Sequence, residues 1–153
     1  MILQLGVGWG MVQAVLDAVG ADTEGHTKRL SVLIVEDDPA LRELLVDYLR
    51  REGYPTEEAQ DGGQAVAALQ RQDGASRRFG VVLLDLMLPE VSGLEVLEHL
   101  TACGAGVPVV VMSVNNALLT AAVGAGVQAV LIKPFDLEQL LAVVARYCEP
   151  PLA

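Results

Sequence analysis

The chain has 153 residues, of which 52% are apolar and 4% aromatic, and its formal net charge is −10. This length suffices for one compact domain and is too short for two of ordinary size. An acidic surface repels phosphate backbones, so the composition argues against direct binding of nucleic acid.

The first 28 residues combine an apolar extension with a polar linker. Residues 1–21 carry one charge, Asp17, and lack the basic start of a secretory signal. Interior glycines and polar residues also make this stretch a poor membrane-spanning helix. We therefore expect a cytoplasmic protein without a membrane partner. Cys103 and Cys148 stand in no CxxC or Cys/His cluster, and we expect both to be reduced thiols.

From residue 30 onward, short apolar runs alternate with amphipathic stretches. The runs predict buried strands, and apolar residues at helical spacing predict helices. The predicted strands cover residues 30–35, 55–59, 81–85, 108–113 and 127–132. Three of the five predicted helices begin at a cap: the first at Asp38-Pro39, the third at the Ser92/Glu95 capping box and the fifth at Asp136. The second covers residues 63–72 and the fourth covers residues 117–125. Strands joined by helices in this way imply an α/β, doubly wound fold with a parallel sheet.

The same patterns predict the core and the domain boundaries. In the first helix the inward-facing residues are expected to be Leu41, Leu44, Leu45, Tyr48 and Leu49. We expect a single α/β domain over residues 29–149, preceded by the 1–28 extension and followed by a 150–153 tail, with no output domain.

Polar residues follow the apolar runs at the carboxyl ends of four predicted strands. Glu36 and Asp37 follow the first, Asp85 ends the third, Ser113 ends the fourth and Lys133 follows the fifth. Because parallel strands end at one edge of the sheet, we expect these side chains to lie close together. Three carboxylates in a partly dry site repel each other by on the order of several kcal/mol. The lysine and a Mg²⁺ ion would offset that repulsion, and such a set suits phosphoryl transfer to a carboxylate.

Four segments of the chain are similar to the motifs of one known family. They are LIVEDDPALRELL, VVLLDLMLPEVSGLEVL, VVVMS and VLIKPFDLEQLL. From about Leu30 to Tyr147 the chain resembles the receiver domains of two-component response regulators. The resemblance implies a flavodoxin-like three-layer (βα)5 sandwich, with five parallel strands in the order 2-1-3-4-5.

The resemblance also implies roles for the acidic residues. Asp85 is the expected phosphoacceptor, which attacks a phosphohistidine on a sensor histidine kinase or phosphotransfer protein and becomes an aspartyl phosphate. Asp37 is expected to bind Mg²⁺ together with Asp85. Glu36 is expected to contribute through water, and Met87 through its backbone carbonyl.

Two further residues are implied to act on the phosphoryl group. Ser113 and Lys133 are expected to contact its oxygens, and the peptide bond between Lys133 and Pro134 is expected to be cis. The implied function is a single-domain response regulator that signals to a downstream protein target or takes part in a phosphorelay. It would promote only its own phosphorylation and dephosphorylation and would not be an enzyme in the usual sense.

Two residues depart from the family pattern and leave an alternative open. Val130 stands where many receivers have Tyr or Phe, and Val114 stands where the family prefers a small residue. These departures motivate a second hypothesis, a pseudo-receiver that acts as a constitutive interaction or dimerisation module. A phosphatase of the haloacid-dehalogenase type would need a second aspartate at the position of Met87.

The stretch from Leu100 to Ile132 contains no charged residue. The fourth helix, ALLTAAVGA, therefore has almost no polar face, which is typical of an interface. We hypothesise that it packs on the apolar segment before Leu30 or forms a homodimer through either region. The alternative is that the segment makes no ordered contact.

Overall fold

The computed structural model describes residues 29–71, 77–102 and 106–149. The strands are β1 (Ser31–Val35), β2 (Thr56–Ala59), β3 (Phe79–Asp85), β4 (Val109–Ser113) and β5 (Ala129–Ile132). The helices are α1 (Pro39–Arg51), α2 (Gly62–Gln70), α3 (Gly93–Ala102), α4 (Asn116–Gly124) and α5 (Leu137–Tyr147). The alternation confirms the predicted order of elements.

Several predictions fall on residues that the structure leaves undescribed. These are the 1–28 extension, the 150–153 tail, Cys103 and the predicted end of the second helix at residue 72. They remain predictions. Cys148 is described, and it is a buried free thiol, in keeping with its expected reduced state.

The predicted caps of α1 and α3 are present. The Asp38 carboxylate accepts a hydrogen bond from the Ala40 N–H at 3.0 Å and begins α1. Ser92 and Glu95 bond reciprocally before α3, at 3.1 and 3.2 Å, and so form the expected capping box. Each of these helices follows the carboxyl end of a strand, α1 after β1 and α3 after β3. The caps therefore fix where the chain turns from the edge of the sheet into the helix.

The sheet is fully parallel, with strand order β2-β1-β3-β4-β5. This order confirms the predicted topology. The register pairs Val35 with Leu84 and Asp85 with Met112, so β1, β3 and β4 end at nearly the same level. The polar residues that follow these strands consequently meet at one edge.

Helices cover both faces of the sheet and produce three layers. Leu33 and Val35 of β1 pack in one apolar cluster with residues of α2, α3 and α4. Val32 and Ile34 pack in a second cluster with residues of α1 and α5. Alternating side chains of a strand point to opposite faces, so a continuous apolar run is buried on both sides.

Two expectations about burial are wrong. Leu44 of α1 is 50% exposed, although the helical spacing placed it on the inward face. In β5, Val130 and Ile132 are 37% and 59% exposed, so this strand is not buried on both faces. The reason is that β5 lies at the edge of the sheet, where the covering helices reach only part of the strand.

Gly93 lies against the backbone that carries Asp85. A methyl group there would overlap the Asp85 carbonyl oxygen and lie 2.5 Å from the Cα of Leu86. We therefore expect Gly93→Ala to lower the free energy of unfolding by about 3 kcal/mol, since backbone cannot move aside as a flexible side chain can.

Gly124, at the end of α4, is the matched control for this prediction. Among the described residues, no atom outside the adjoining backbone of α4 and the two chain neighbours lies within 4 Å of a methyl group added there. Gly124→Ala should therefore be neutral or slightly stabilising. Urea unfolding of both variants measures the difference, and equal stabilities would contradict the expected clash.

Candidate functional site

Three acidic side chains converge at the carboxyl edge of the sheet. Glu36 and Asp37 follow β1, Asp85 is the last residue of β3, and one carboxylate oxygen of each lies within 4.8 Å of the others. Glu36 is 1% exposed and Asp85 is 4% exposed, whereas Asp37 faces solvent. The convergence predicted from the ends of the apolar runs is therefore found in the structure.

Lys133, directly after β5, supplies the positive charge at this edge. Its ammonium nitrogen lies 2.7 Å from Oε2 of Glu36 and 3.0 Å from Oδ2 of Asp85. Its backbone N–H donates to the carbonyl of Ser113 at 3.0 Å, which ties the loop after β5 to the end of β4. The peptide bond between Lys133 and Pro134 is cis, as expected.

Asp85 is held from two sides. Its Oδ1 accepts a hydrogen bond from the Met87 N–H at 2.8 Å, and its Oδ2 accepts the bond from Lys133. The position of the carboxylate is thus set by one backbone donor and one cation. The expected role of the Met87 carbonyl as a metal ligand remains a prediction.

Ser113 is buried at the end of β4, one residue beyond the partner of Asp85 in the sheet. Its Oγ accepts a hydrogen bond from the Asn115 N–H at 3.0 Å. Asn115 in turn caps α4 by accepting from the Leu118 N–H at 3.1 Å. The Ser113 hydroxyl is consequently coupled to the start of α4 through a short chain of contacts.

One lysine does not neutralise this acidic cluster. Burial is the main cause that raises the pKa of Glu36 to about 7. Repulsion from Asp85 adds to the effect, and the hydrogen bond from Lys133 opposes it. For Lys133, burial alone would lower the pKa, but its hydrogen bonds to the two acids raise it overall. Carboxylate oxygens around an excess of negative charge fit a hard divalent cation such as Mg²⁺.

The raised pKa of Glu36 predicts a pH-dependent stability of the metal-free protein. Because the folded-state pKa lies above the ordinary value of 4.5, the neutral acid stabilises the fold. This contribution is complete below about pH 4.5 and is lost as the pH rises to about 7. We expect Glu36→Gln to exceed wild type in free energy of unfolding above pH 7 by up to about 3 kcal/mol.

Urea unfolding in a chelating buffer at a series of pH values measures this difference. The variant keeps a neutral side chain throughout, so the excess should shrink as the pH falls towards 4.5. Parallel stability curves for the two proteins would contradict the assignment of the proton to Glu36.

Sequence reasoning missed one residue of the site, Arg42 on α1. Its Nη1 donates to the backbone carbonyls of Glu36 at 2.9 Å and Asp37 at 3.4 Å. Helical side chains point back towards the start of their helix, so a long side chain in the second turn can reach the loop before it. The position of Arg42 in the second turn of a predicted helix was therefore the signal in the sequence that could have placed it near Glu36 and Asp37.

A comparison of the whole chain with protein families identifies this architecture. The family model described as the response regulator receiver domain matches residues 32–145. The chain belongs to the response regulator receiver domain family. The match runs from β1 to the last turns of α5, and it therefore includes every residue of the acidic cluster and Lys133.

This receiver domain is similar to several curated response regulators. The probable transcriptional regulatory protein TcrX of Mycobacterium tuberculosis is 39% identical over 114 residues, which are 73% of this chain and 47% of TcrX. The DNA-binding response regulator MtrA of Mycolicibacterium smegmatis is 38% identical over 118 residues, 76% of this chain and 49% of MtrA. The chain thus spans about half the length of these relatives.

Solved structures share the fold of the receiver domain. The chemotaxis protein CheY4 of Vibrio cholerae superposes with a TM-score of 0.69 at 26% identity, over 78% of this chain and 98% of CheY4. The receiver domain of NtrX from Brucella abortus gives a TM-score of 0.67 at 30% identity, over 76% of this chain and 97% of the NtrX domain. Among the described residues of the present chain, every helix is too short or too polar to cross a lipid bilayer.

Proposed function

We propose that Asp85 accepts a phosphoryl group from a phosphohistidine on a sensor histidine kinase or phosphotransfer protein. The observation that carries this proposal is a buried carboxylate that contacts Lys133 and lies beside two further acids at the edge of the sheet. Membership of the receiver family supports the same assignment. The expected product is an aspartyl phosphate on this chain.

In the proposed step, an oxygen of Asp85 attacks the phosphorus atom. The new O–P bond forms as the N–P bond of the phosphohistidine breaks, and the imidazole leaves with the electron pair of that bond. The Met87 N–H orients the carboxylate before attack, since it holds Oδ1 at 2.8 Å. The Lys133 ammonium, 3.0 Å from Oδ2, offsets negative charge on the transferring group.

The remaining site residues complete the proposed reaction. Glu36, Asp37 and Asp85 would hold Mg²⁺, with the Met87 carbonyl as a further ligand. When bound, the ion supplies positive charge beside the phosphoryl oxygens. The Ser113 hydroxyl would donate to one of these oxygens. Its contact with Asn115, the cap of α4, offers a path from the site to that helix.

The signalling output is proposed at the level of protein interaction. Phosphorylation would repack the surface formed by α4, β5 and α5, and a downstream protein or a phosphorelay partner would read the change. Two relatives are named as transcriptional or DNA-binding regulators. For this chain we propose a cytoplasmic response regulator receiver, with the acidic charge of −10 arguing against direct contact with nucleic acid. It would act on no substrate other than its own aspartyl phosphate.

A second candidate function is a constitutive interaction module that no longer switches. The observation that favours it is the apolar surface of α4 and β5, where Val123, Val130 and Ile132 are exposed large side chains. Such a surface could hold a partner or a second copy in either state. Val130 also lacks the aromatic ring that moves inward in many receivers.

Addition of Mg²⁺ and beryllofluoride to the ¹⁵N-labelled protein tests the two candidates against each other. Beryllofluoride on Asp85 mimics the phosphoryl group. We expect amide shifts around Asp85, at Ser113 and along α4, since Ser113 is coupled to the α4 cap. Shifts confined to the acidic cluster favour the constitutive module, and an unchanged spectrum contradicts the phosphoacceptor assignment.

A further inference from the structure

The loop between β1 and α1 carries two of the three acids, and Arg42 spans it. The Nη1 atom of Arg42 lies 2.9 Å from the carbonyl oxygen of Glu36 and 3.4 Å from that of Asp37. A single donor group therefore contacts the peptide on each side of the Asp37 Cα. These contacts hold the backbone from the side of α1 and leave both carboxylates available to the site.

The two acids of this loop are restrained very differently. The Glu36 carboxylate accepts from Lys133 at 2.7 Å and from the Asp38 N–H at 3.2 Å, so its position is set by its own contacts. The Asp37 side chain is exposed and, within the described part of the chain, makes no hydrogen bond or ion pair. The position from which the Asp37 side chain starts is consequently restrained by the backbone that Arg42 holds.

We propose that Arg42 is a positioning residue for the divalent cation, acting through the backbone of Glu36 and Asp37. This inference rests on the cation site of the proposed function. Groups that orient metal ligands from outside typically contribute 10–100-fold to metal affinity. We expect loss of the guanidinium to weaken Mg²⁺ binding by about tenfold.

Whether loss of the Arg42 guanidinium weakens or tightens Mg²⁺ binding distinguishes a positioning role from a purely electrostatic one. A guanidinium beside a cation site repels the ion, so its removal would tighten Mg²⁺ binding if charge were all that mattered. Removal of a positioning contact weakens binding instead, because the loop backbone then samples positions from which the Asp37 carboxylate does not reach the ion. The two accounts predict opposite changes in the dissociation constant.

Titration calorimetry of MgCl₂ into the full metal-free chain tests the inference. Arg42→Met keeps an aliphatic stem and removes the donors, and Arg51→Met removes the same charge from the exposed end of α1. We expect about tenfold weaker binding for the first and a change below about twofold for the second. Arg42→Gln, whose side chain is too short to reach both carbonyls, replaces Arg42→Met if thermal melting shows that the latter is unfolded.

The outcomes distinguish this inference from the proposed function. Failure of the wild-type chain to bind Mg²⁺ would overturn the cation site itself. Binding by wild type, with equal or tighter binding by the folded Arg42 variant, would overturn only the positioning role. Weaker binding by the Arg42 variant, with Arg51→Met close to wild type, supports it.

Discussion

Asp85→Asn is expected to lower phosphoryl acceptance by at least about a thousandfold, because the amide oxygen is a poor nucleophile. The substitution preserves the size of the side chain and an oxygen that can accept from the Met87 N–H or from Lys133. It also removes one of three mutually repelling acids. We therefore expect the free energy of unfolding to change by less than about 1 kcal/mol, so that loss of transfer reflects chemistry and not misfolding.

Incubation with a phosphorylated histidine kinase or a small phosphodonor, followed by intact mass measurement, checks this prediction. Asp61→Asn is the matched control, since Asp61 caps α2 through the Gln64 N–H and asparagine caps helices equally well. The control should be phosphorylated at the wild-type rate. Phosphorylation of Asp85→Asn at that rate would place the acceptor on another residue.

Lys133→Met is expected to lower both stability and transfer. The substitution leaves the Glu36 and Asp85 carboxylates buried without their shared cation. Removal of one partner from a buried ion pair commonly costs 3–5 kcal/mol, and we expect a loss of about 3 kcal/mol at pH 8 in the absence of metal. Transfer should fall by about 100-fold, the usual effect of losing one group that stabilises developing charge.

The pH and metal dependence of this variant make the prediction specific. In the wild type, whose Glu36 pKa is about 7, Glu36 is neutral at pH 5 and needs Lys133 less than at pH 8, so the stability loss should be smaller at pH 5. Mg²⁺ should restore most of the stability, because it replaces the missing positive charge. Urea unfolding at pH 5 and at pH 8, each with and without Mg²⁺, measures both effects.

Arg51→Met is the control for Lys133→Met, because it removes one positive charge from an exposed position on α1. Its stability should stay close to that of wild type at either pH, both with and without Mg²⁺. A stability loss in Lys133→Met that is independent of pH and metal would show that Lys133 acts by packing alone. The electrostatic account of the site would then be wrong.

The residues that form the site were predictable from the sequence, because each of these polar residues ends or follows an apolar run. Alternation of runs and amphipathic stretches implies parallel strands, and parallel strands end together. The sequence alone was therefore enough to place five residues at one edge of the sheet: Glu36, Asp37, Asp85, Ser113 and Lys133. Helix caps at Asp38 and Ser92 were predictable for a similar reason, since capping depends on residues close in the chain.

Burial at the periphery was less predictable. Leu44 has the helical spacing of a core residue but is half exposed, because α1 covers the sheet along a narrower stripe than its apolar residues suggest. Val130 and Ile132 belong to an apolar run but lie on an edge strand that the helices cover only in part. Periodicity describes which side of an element a residue occupies, and not how far a neighbouring element reaches.

The sequence by itself determined the order of the elements, the parallel sheet and the identity of the acids and the lysine at its edge. Only the tertiary structure decided their distances and charges: the single lysine shared by Glu36 and Asp85, the pKa of Glu36 near 7 and the contact of Arg42 with the loop of Asp37. Local patterns arise from residues a few positions apart. The energies of the site depend on groups up to 97 residues apart in the chain, whose separation and burial exist only once the sheet has formed.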